Sequence, residues 1–200
     1  MNPIYGIDLD NTLIDYTPSL IKLVKDKYPS LILKTFTKDE IKSKIIEVLN
    51  ENEWTKCQSL LYSDYLKFAT VHKHALFFLR KAIESGIEIK IISHKTEYPI
   101  LGKRIALRSL ALDWINTNIS SELNIEFQID NNLFFTDTID SKIEIILKNK
   151  CEIFVDDLEK ILLLLPDNIK KYWIFSSLQS NNKNIQSILD WKELTNEFGF

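Results

Sequence analysis

The chain has 200 residues, enough for one hydrophobic core or for a core with a small inserted domain. Its apolar fraction of 45% and charged fraction of 26% match soluble globular proteins and argue against a disordered or fibrous chain. A net charge of −3, with Lys and Arg scattered, gives no basic field for nucleic acid, and no apolar run approaches the roughly 18 residues that span a bilayer.

In chain order, residues 4–8 read as a short apolar strand that runs directly into Asp8 and Asp10. Residues 17–28 predict a helix with Leu20, Ile21, Leu23 and Val24 on one face and Pro29 at its end. Thr37 followed by Glu40 is a capping-box pattern, which predicts a helix to about Asn50. Residues 54–70 predict another, with Trp54, Leu60, Leu61, Tyr65 and Phe68 as its apolar set. Residues 75–84 form an amphipathic helix closed near Gly86, and 87–92 form a strand that ends at Ser93 and His94. A helix over 104–117 follows, then two short strands, 125–129 and 133–136, around an Asp130-Asn131-Asn132 turn. Ser141 to Glu144 repeats the capping-box pattern and opens a helix to about Lys148. Residues 152–155 predict a strand ending in Asp156 and Asp157, then a helix to Leu165 before Pro166. The chain closes with a strand over 172–175, a polar loop and a helix near Trp191.

Alternating strands and helices predict an α/β domain with a mostly parallel sheet. Residues 16–72 break the alternation and read as an all-helical insertion after the first strand, leaving 1–15 and 73–200 as the core domain. Cys57 and Cys151 lie far apart without metal-ligand spacing, which predicts two reduced, buried thiols. No basic segment followed by an apolar stretch opens the sequence, so no secretory signal is expected, and a cytoplasmic location is.

Four polar features fall at strand C-termini or helix starts: Asp8 with Asp10, Ser93, Lys142, and Asp156 with Asp157. In an open parallel sheet, ligands bind at those ends. Each feature alone has a plain structural reading. An Asp-x-Asp after a strand is often a solvated turn. Ser93 alone is a strand-end hydroxyl, and Lys142 alone is an exposed first-turn lysine, slightly unfavourable beside the helix dipole. Asp156-Asp157 alone caps a helix. Lys95, Tyr98, Lys103 and Arg104 read equally as an anion-binding loop or a solvated basic one, His94 as a substrate or a backbone contact. His72 and His74 read as surface residues, and Trp54, Tyr62 and Tyr65 as core packing.

The ordered set Asp8-Leu9-Asp10-Asn11-Thr12, Ile91-Ile92-Ser93, Lys142 and Ile153-Phe154-Val155-Asp156-Asp157 resembles the four motifs of the haloacid dehalogenase superfamily. The resemblance covers residues 1–15 and about 73–177 and leaves the insertion unspecified. It implies a Rossmann-like three-layer core with a small helical cap, and a Mg²⁺-dependent phosphatase acting on a small phosphomonoester. Asp8 would be the nucleophile and Asp10 the general acid/base. Ser93 and Lys142, with Asn11 and His94, would bind phosphate. Asp8, the Asp10 carbonyl, Asp156 and Asp157 would hold Mg²⁺. Members that cleave carbon–halogen bonds lack the second acid, so Asp10 implies phosphoryl transfer. Asn11 departs from the Gly found there in many members, and Asn tolerates left-handed backbone. The alternatives left open are a phosphotransferase or mutase on a sugar phosphate and a non-catalytic module of the same fold. The oligomeric state is not legible in the sequence.

Overall fold

A computed structural model describes residues 2–200. The first apolar run is strand β1 (Ile4–Ile7), from which the chain turns sharply: the amides of Thr12, Leu13 and Ile14 all donate to the Leu9 carbonyl. A two-residue strand, β2 (Ile14–Asp15), leads out, and β3 (Thr70–Val71) pairs antiparallel with it on the way back. Between them lie α1 (Thr17–Lys27), α2 (Lys38–Val48) and α3 (Glu51–Leu61). Then follow α4 (Ala75–Glu84), β4 (Glu88–His94), α5 (Leu107–Ile115), the one-turn α6 (Ser121–Leu123), β5 (Leu133–Thr136), α7 (Ile139–Lys148), β6 (Ile153–Asp156), α8 (Glu159–Leu162), β7 (Lys170–Ile174), β8 (Ile185–Ile188) and α9 (Trp191–Glu197).

The main sheet has six parallel strands in the order β5-β4-β1-β6-β7-β8. The chain starts in the middle, builds outward through β4 and β5, then returns to β6 on the other side of β1. The connections after β1 and β6 therefore diverge, and a crevice opens at their carboxyl ends. Side chains alternate across the sheet. Tyr5, Ile7, Ile89, Ile91, Ile153 and Val155 join the core under α4, α5 and α9. Ile92, Phe134 and Phe154 join the second core under α7 and α8. Gly6 is required by close approach: a Cβ there would lie 2.5 Å from the Phe154 ring. The fold is thus α/β with a parallel sheet, as the strand–helix alternation indicates.

Several boundaries differ from the sequence reading. The capping box around Ser141 sits one turn earlier. The Thr138 hydroxyl accepts from the Ser141 amide at 3.1 Å and the Ser141 hydroxyl from the Thr138 amide at 3.2 Å, so the helix starts at Ile139. Lys142 then points inward and is buried, not exposed. The helix expected over 54–70 ends at Leu61, because residues after it turn back through a short 3₁₀ segment, Leu66–Phe68, to reach β3. Residues 16–72 thus include the two extended residues of β3. Residues 125–129 form no strand; a single bridge from Ile129 to Leu133 stands there. The helix expected up to Leu165 is the four-residue α8, and the expected helix over 104–117 begins at Leu107. The polar loop before the last helix contains β8, whose Ile185 and Ile188 are buried while Gln186 is exposed.

Candidate active site

The turn after β1 and the end of β6 meet through backbone and side chain. The Asp8 amide donates to the Val155 carbonyl at 2.9 Å. Thr12, fully buried, donates to Asp8 Oδ2 at 3.1 Å and accepts from the Asp157 amide at 3.2 Å. Asp156 Oδ1 accepts from the Leu158 amide at 2.8 Å, which fixes the first turn after β6. Two indoles pin these loops. Trp191 Nε1 donates to the Thr12 carbonyl and Trp173 Nε1 to the Asp157 carbonyl, both at 3.0 Å.

Lys142 reaches in from α7. Its Nζ lies 2.6 Å from Asp8 Oδ1 and 2.7 Å from Asp156 Oδ2. Burial pushes the Asp8 carboxyl up to about 8, with the charges of Asp156 and Asp157 adding and Lys142 opposing. Burial, with Asp156 beside it, likewise pushes Asp157 up to about 7. Burial alone would lower the Lys142 ammonium, but Asp8 and Asp156 outweigh it and hold it charged. Carboxylate oxygens of Asp8, Asp156 and Asp157 lie within 4.8 Å of one another. Three hard oxygen donors gathered at one point, Asp8 and Asp157 raised first by burial and then by neighbouring acidic charge, form a donor set suited to a divalent cation such as Mg²⁺.

Asp10 lines the same cleft as Asp8 and Asp157. Lys95 Nζ lies 3.0 Å from its Oδ1 and 2.7 Å from its Oδ2, and the Tyr16 hydroxyl donates to Oδ1 at 2.6 Å. Burial, together with the Asp10 charge, pushes the Tyr16 hydroxyl well up, so it stays a donor. Asn11 takes the left-handed backbone its side chain tolerates, at φ 61°. His94 Nε2 lies 3.0 Å from the Asp137 carbonyl, and its ring reaches the cleft wall.

The structure brings Asp8, Asp10, Asn11, His94, Lys142 and Asp157 together on the wall of one cleft of about 340 Å³. Ser93 and Asp156 lie behind that wall. The Ser93 hydroxyl is buried with no hydrogen-bond partner, a state that costs about 1–3 kcal/mol and favours any acceptor brought to it. Two residues change standing. Lys95, which sequence left open between an anion site and a solvated loop, is buried against Asp10. Tyr62, read as core packing, does pack against the core but also lines the cleft just after α3. The i, i+3, i+4, i+7 polar series Thr55, Gln58, Ser59 and Tyr62 on that helix was the available signal. Trp54, by contrast, is buried in the core as read.

No protein-family model matches the chain, and no curated protein does. Solved structures do. A haloacid dehalogenase-like family hydrolase from Streptococcus pneumoniae superposes with a TM-score of 0.62 at 12% identity, covering 98% of each chain. A HAD phosphatase from Thermococcus onnurineus gives 0.58 at 15% identity, over 100% of this chain and 98% of its own. A HAD-superfamily hydrolase from Ehrlichia chaffeensis gives 0.51 at 16% identity, over 98% and 97%. The chain therefore has the fold of the haloacid dehalogenase-like hydrolases and phosphatases along essentially its whole length. Among the described residues, no helix is long and apolar enough to cross a membrane.

Proposed function

We propose that this protein is a haloacid dehalogenase-type phosphatase that hydrolyses a small phosphomonoester through an aspartyl-phosphate. The observation that carries the reading is the convergence of Asp8, Asp156 and Asp157 with Lys142 at the carboxyl ends of β1 and β6. Asp8, Asp156, Asp157 and the Asp10 carbonyl would hold Mg²⁺. Bound there, the ion would offset repulsion between the attacking carboxylate and the phosphoryl oxygens.

The Asp8 carboxylate attacks phosphorus and displaces the ester oxygen, forming an acyl phosphate on the chain. Asp10 delivers a proton to the departing oxygen. It then takes a proton from the water that cleaves the intermediate, the reverse of its first transfer. Lys142, already bridging Asp8 and Asp156, supplies fixed positive charge to the phosphoryl group. Ser93 supplies a hydroxyl whose hydrogen-bonding capacity no protein group uses, and Asn11 and His94, which line the same cleft, would add contacts to the phosphoryl oxygens. Residues 16–72 act as a cap: Lys38, Gln58 and Tyr62 form the far wall of the cleft. A cleft of this size, closed on that side, favours a small phosphoester over a phosphoprotein.

The test is hydrolysis of 4-nitrophenyl phosphate with Mg²⁺ and with excess chelator. Turnover is expected with Mg²⁺ alone. Asp8→Asn is expected to abolish it while the far-ultraviolet circular dichroism stays unchanged. Full activity in that variant would remove Asp8 from the role of nucleophile.

A further inference from the structure

We propose that Lys95 is a positioning residue for Asp10, holding its carboxylate at the cleft so that Oδ2 is the oxygen that exchanges the proton. The inference rests on the reading of Asp10 as acid/base and adds to it a residue 85 positions away in sequence.

Three donor contacts fix the Asp10 carboxylate. Oδ1 receives the Tyr16 hydroxyl at 2.6 Å and the Lys95 ammonium at 3.0 Å, while Oδ2 receives Lys95 alone at 2.7 Å. Oδ1 is occupied; Oδ2 keeps hydrogen-bonding capacity, and the residue lines the cleft. Tyr16 alone would anchor a single oxygen and leave the carboxylate free to turn about it. Lys95, spanning both oxygens, stops that rotation.

Lys95 is itself held on every side. Its amide donates to the Thr136 carbonyl and its carbonyl accepts from Arg108 Nε, both at 2.9 Å, and Arg108 is in turn paired with Asp137 at 2.7 Å. Its side chain is only 4% exposed, so its charge needs local compensation. The compensation comes from Asp10 and from the Tyr62 ring, whose centroid lies 4.5 Å from Nζ. Tyr62 packs edge-on against Tyr16 at 5.2 Å, so two rings from residues 16–72 close over the Asp10–Lys95 pair. A buried lysine whose ammonium spans both oxygens of a carboxylate lining the cleft is a device for aiming that carboxylate.

The experiment separates aiming from binding or folding by leaving-group chemistry. Propyl phosphate expels an alkoxide that must be protonated; 4-nitrophenyl phosphate expels a phenolate that needs little help. The readout is kcat/KM with Mg²⁺, which covers steps up to ester cleavage. Lys95→Met is expected to lower it about 10- to 100-fold for propyl phosphate, and by less than about threefold for 4-nitrophenyl phosphate, whose departure draws little on an acid. Lys95→Arg, which can still span two oxygens, is expected to recover most of the loss. Should Lys95→Met fail to fold, Lys95→Gln carries the same comparison with the same selective loss expected. Equal losses on both substrates, or none on either, would overturn the proposal. Asp10→Asn separates the two levels. If it loses propyl phosphate turnover while Lys95→Met does not, the role of Lys95 falls and that of Asp10 stands. If Asp10→Asn leaves propyl phosphate turnover intact, both fall.

Discussion

Asp8 sits between one cation and two further acids, and its ionisation is linked to stability. Its carboxyl, ordinarily near 3.8, is raised to about 8, and that of Asp157 to about 7. In both cases the folded protein holds a proton that the unfolded chain gives up at lower pH. Between about pH 4 and pH 8 the unfolded state therefore binds fewer protons, and stability of the metal-free protein falls as pH rises through that window. Mg²⁺ competes with those same protons, so its dissociation constant is expected to decrease from pH 6 to pH 8. Thermal melts with and without Mg²⁺ across that range check both signs; tighter Mg²⁺ binding at pH 6 would contradict them. The Asp8-x-Asp10 pair was legible because an apolar strand ends in two acids. The partner of Asp10 was not: nothing local to Lys95 says that β4 delivers it to the turn after β1. Lys142 was legible as a candidate but misplaced, because Ser141 resembles a helix cap when Thr138 is the residue that caps.

At the scale of elements, β1 packs beside β6 through a residue with no side chain. Gly6 lies over Phe154 of β6, and Lys142 Nζ lies 5.4 Å from that same ring. A methyl group on Gly6 has nowhere to go unless Phe154 moves, and Phe154 is part of the seat of Lys142. Gly6→Ala is expected to cost about 1–3 kcal/mol by overpacking. It is also expected to lower kcat more than a substitution of equal cost on the far edge of the sheet would, as urea melts beside steady-state assays would show. Equal effects would mean that the ring adjusts without disturbing the lysine. α4 was readable because its burial follows the helical period, and β4 because a short continuous run is buried on both faces of the sheet. β8 was not: its four residues carry two polar side chains, and only pairing with β7 organises them. The end of α3 was obscured for a related reason, since Tyr65 and Phe68 continue an apolar pattern after the helix has stopped.

Across the whole molecule, the helices of residues 16–72 are not a separate body. Leu20, Leu23, Ile41, Ile45 and Trp54 share one continuous apolar core with Leu9, Leu13 and Ile14 of the turn after β1. One cooperative thermal transition is therefore expected, with circular dichroism and fluorescence melting together. A low-temperature transition that loses only part of the helix signal would show that the proposed cap unfolds alone. The α/β plan could be read from alternation because each unit is local. The joining of cap and core could not, since it depends on side chains brought together by a two-strand ribbon. The indole contacts to the Thr12 and Asp157 carbonyls have a practical consequence. Two of the four tryptophans are wired to the backbone of the loops that carry the acids, so the protein contains its own optical probe. Mg²⁺ titrated into the unlabelled protein is expected to shift its tryptophan emission, and Trp173→Phe to remove part of that signal. Occupancy of the site can thus be followed by light with no substrate present.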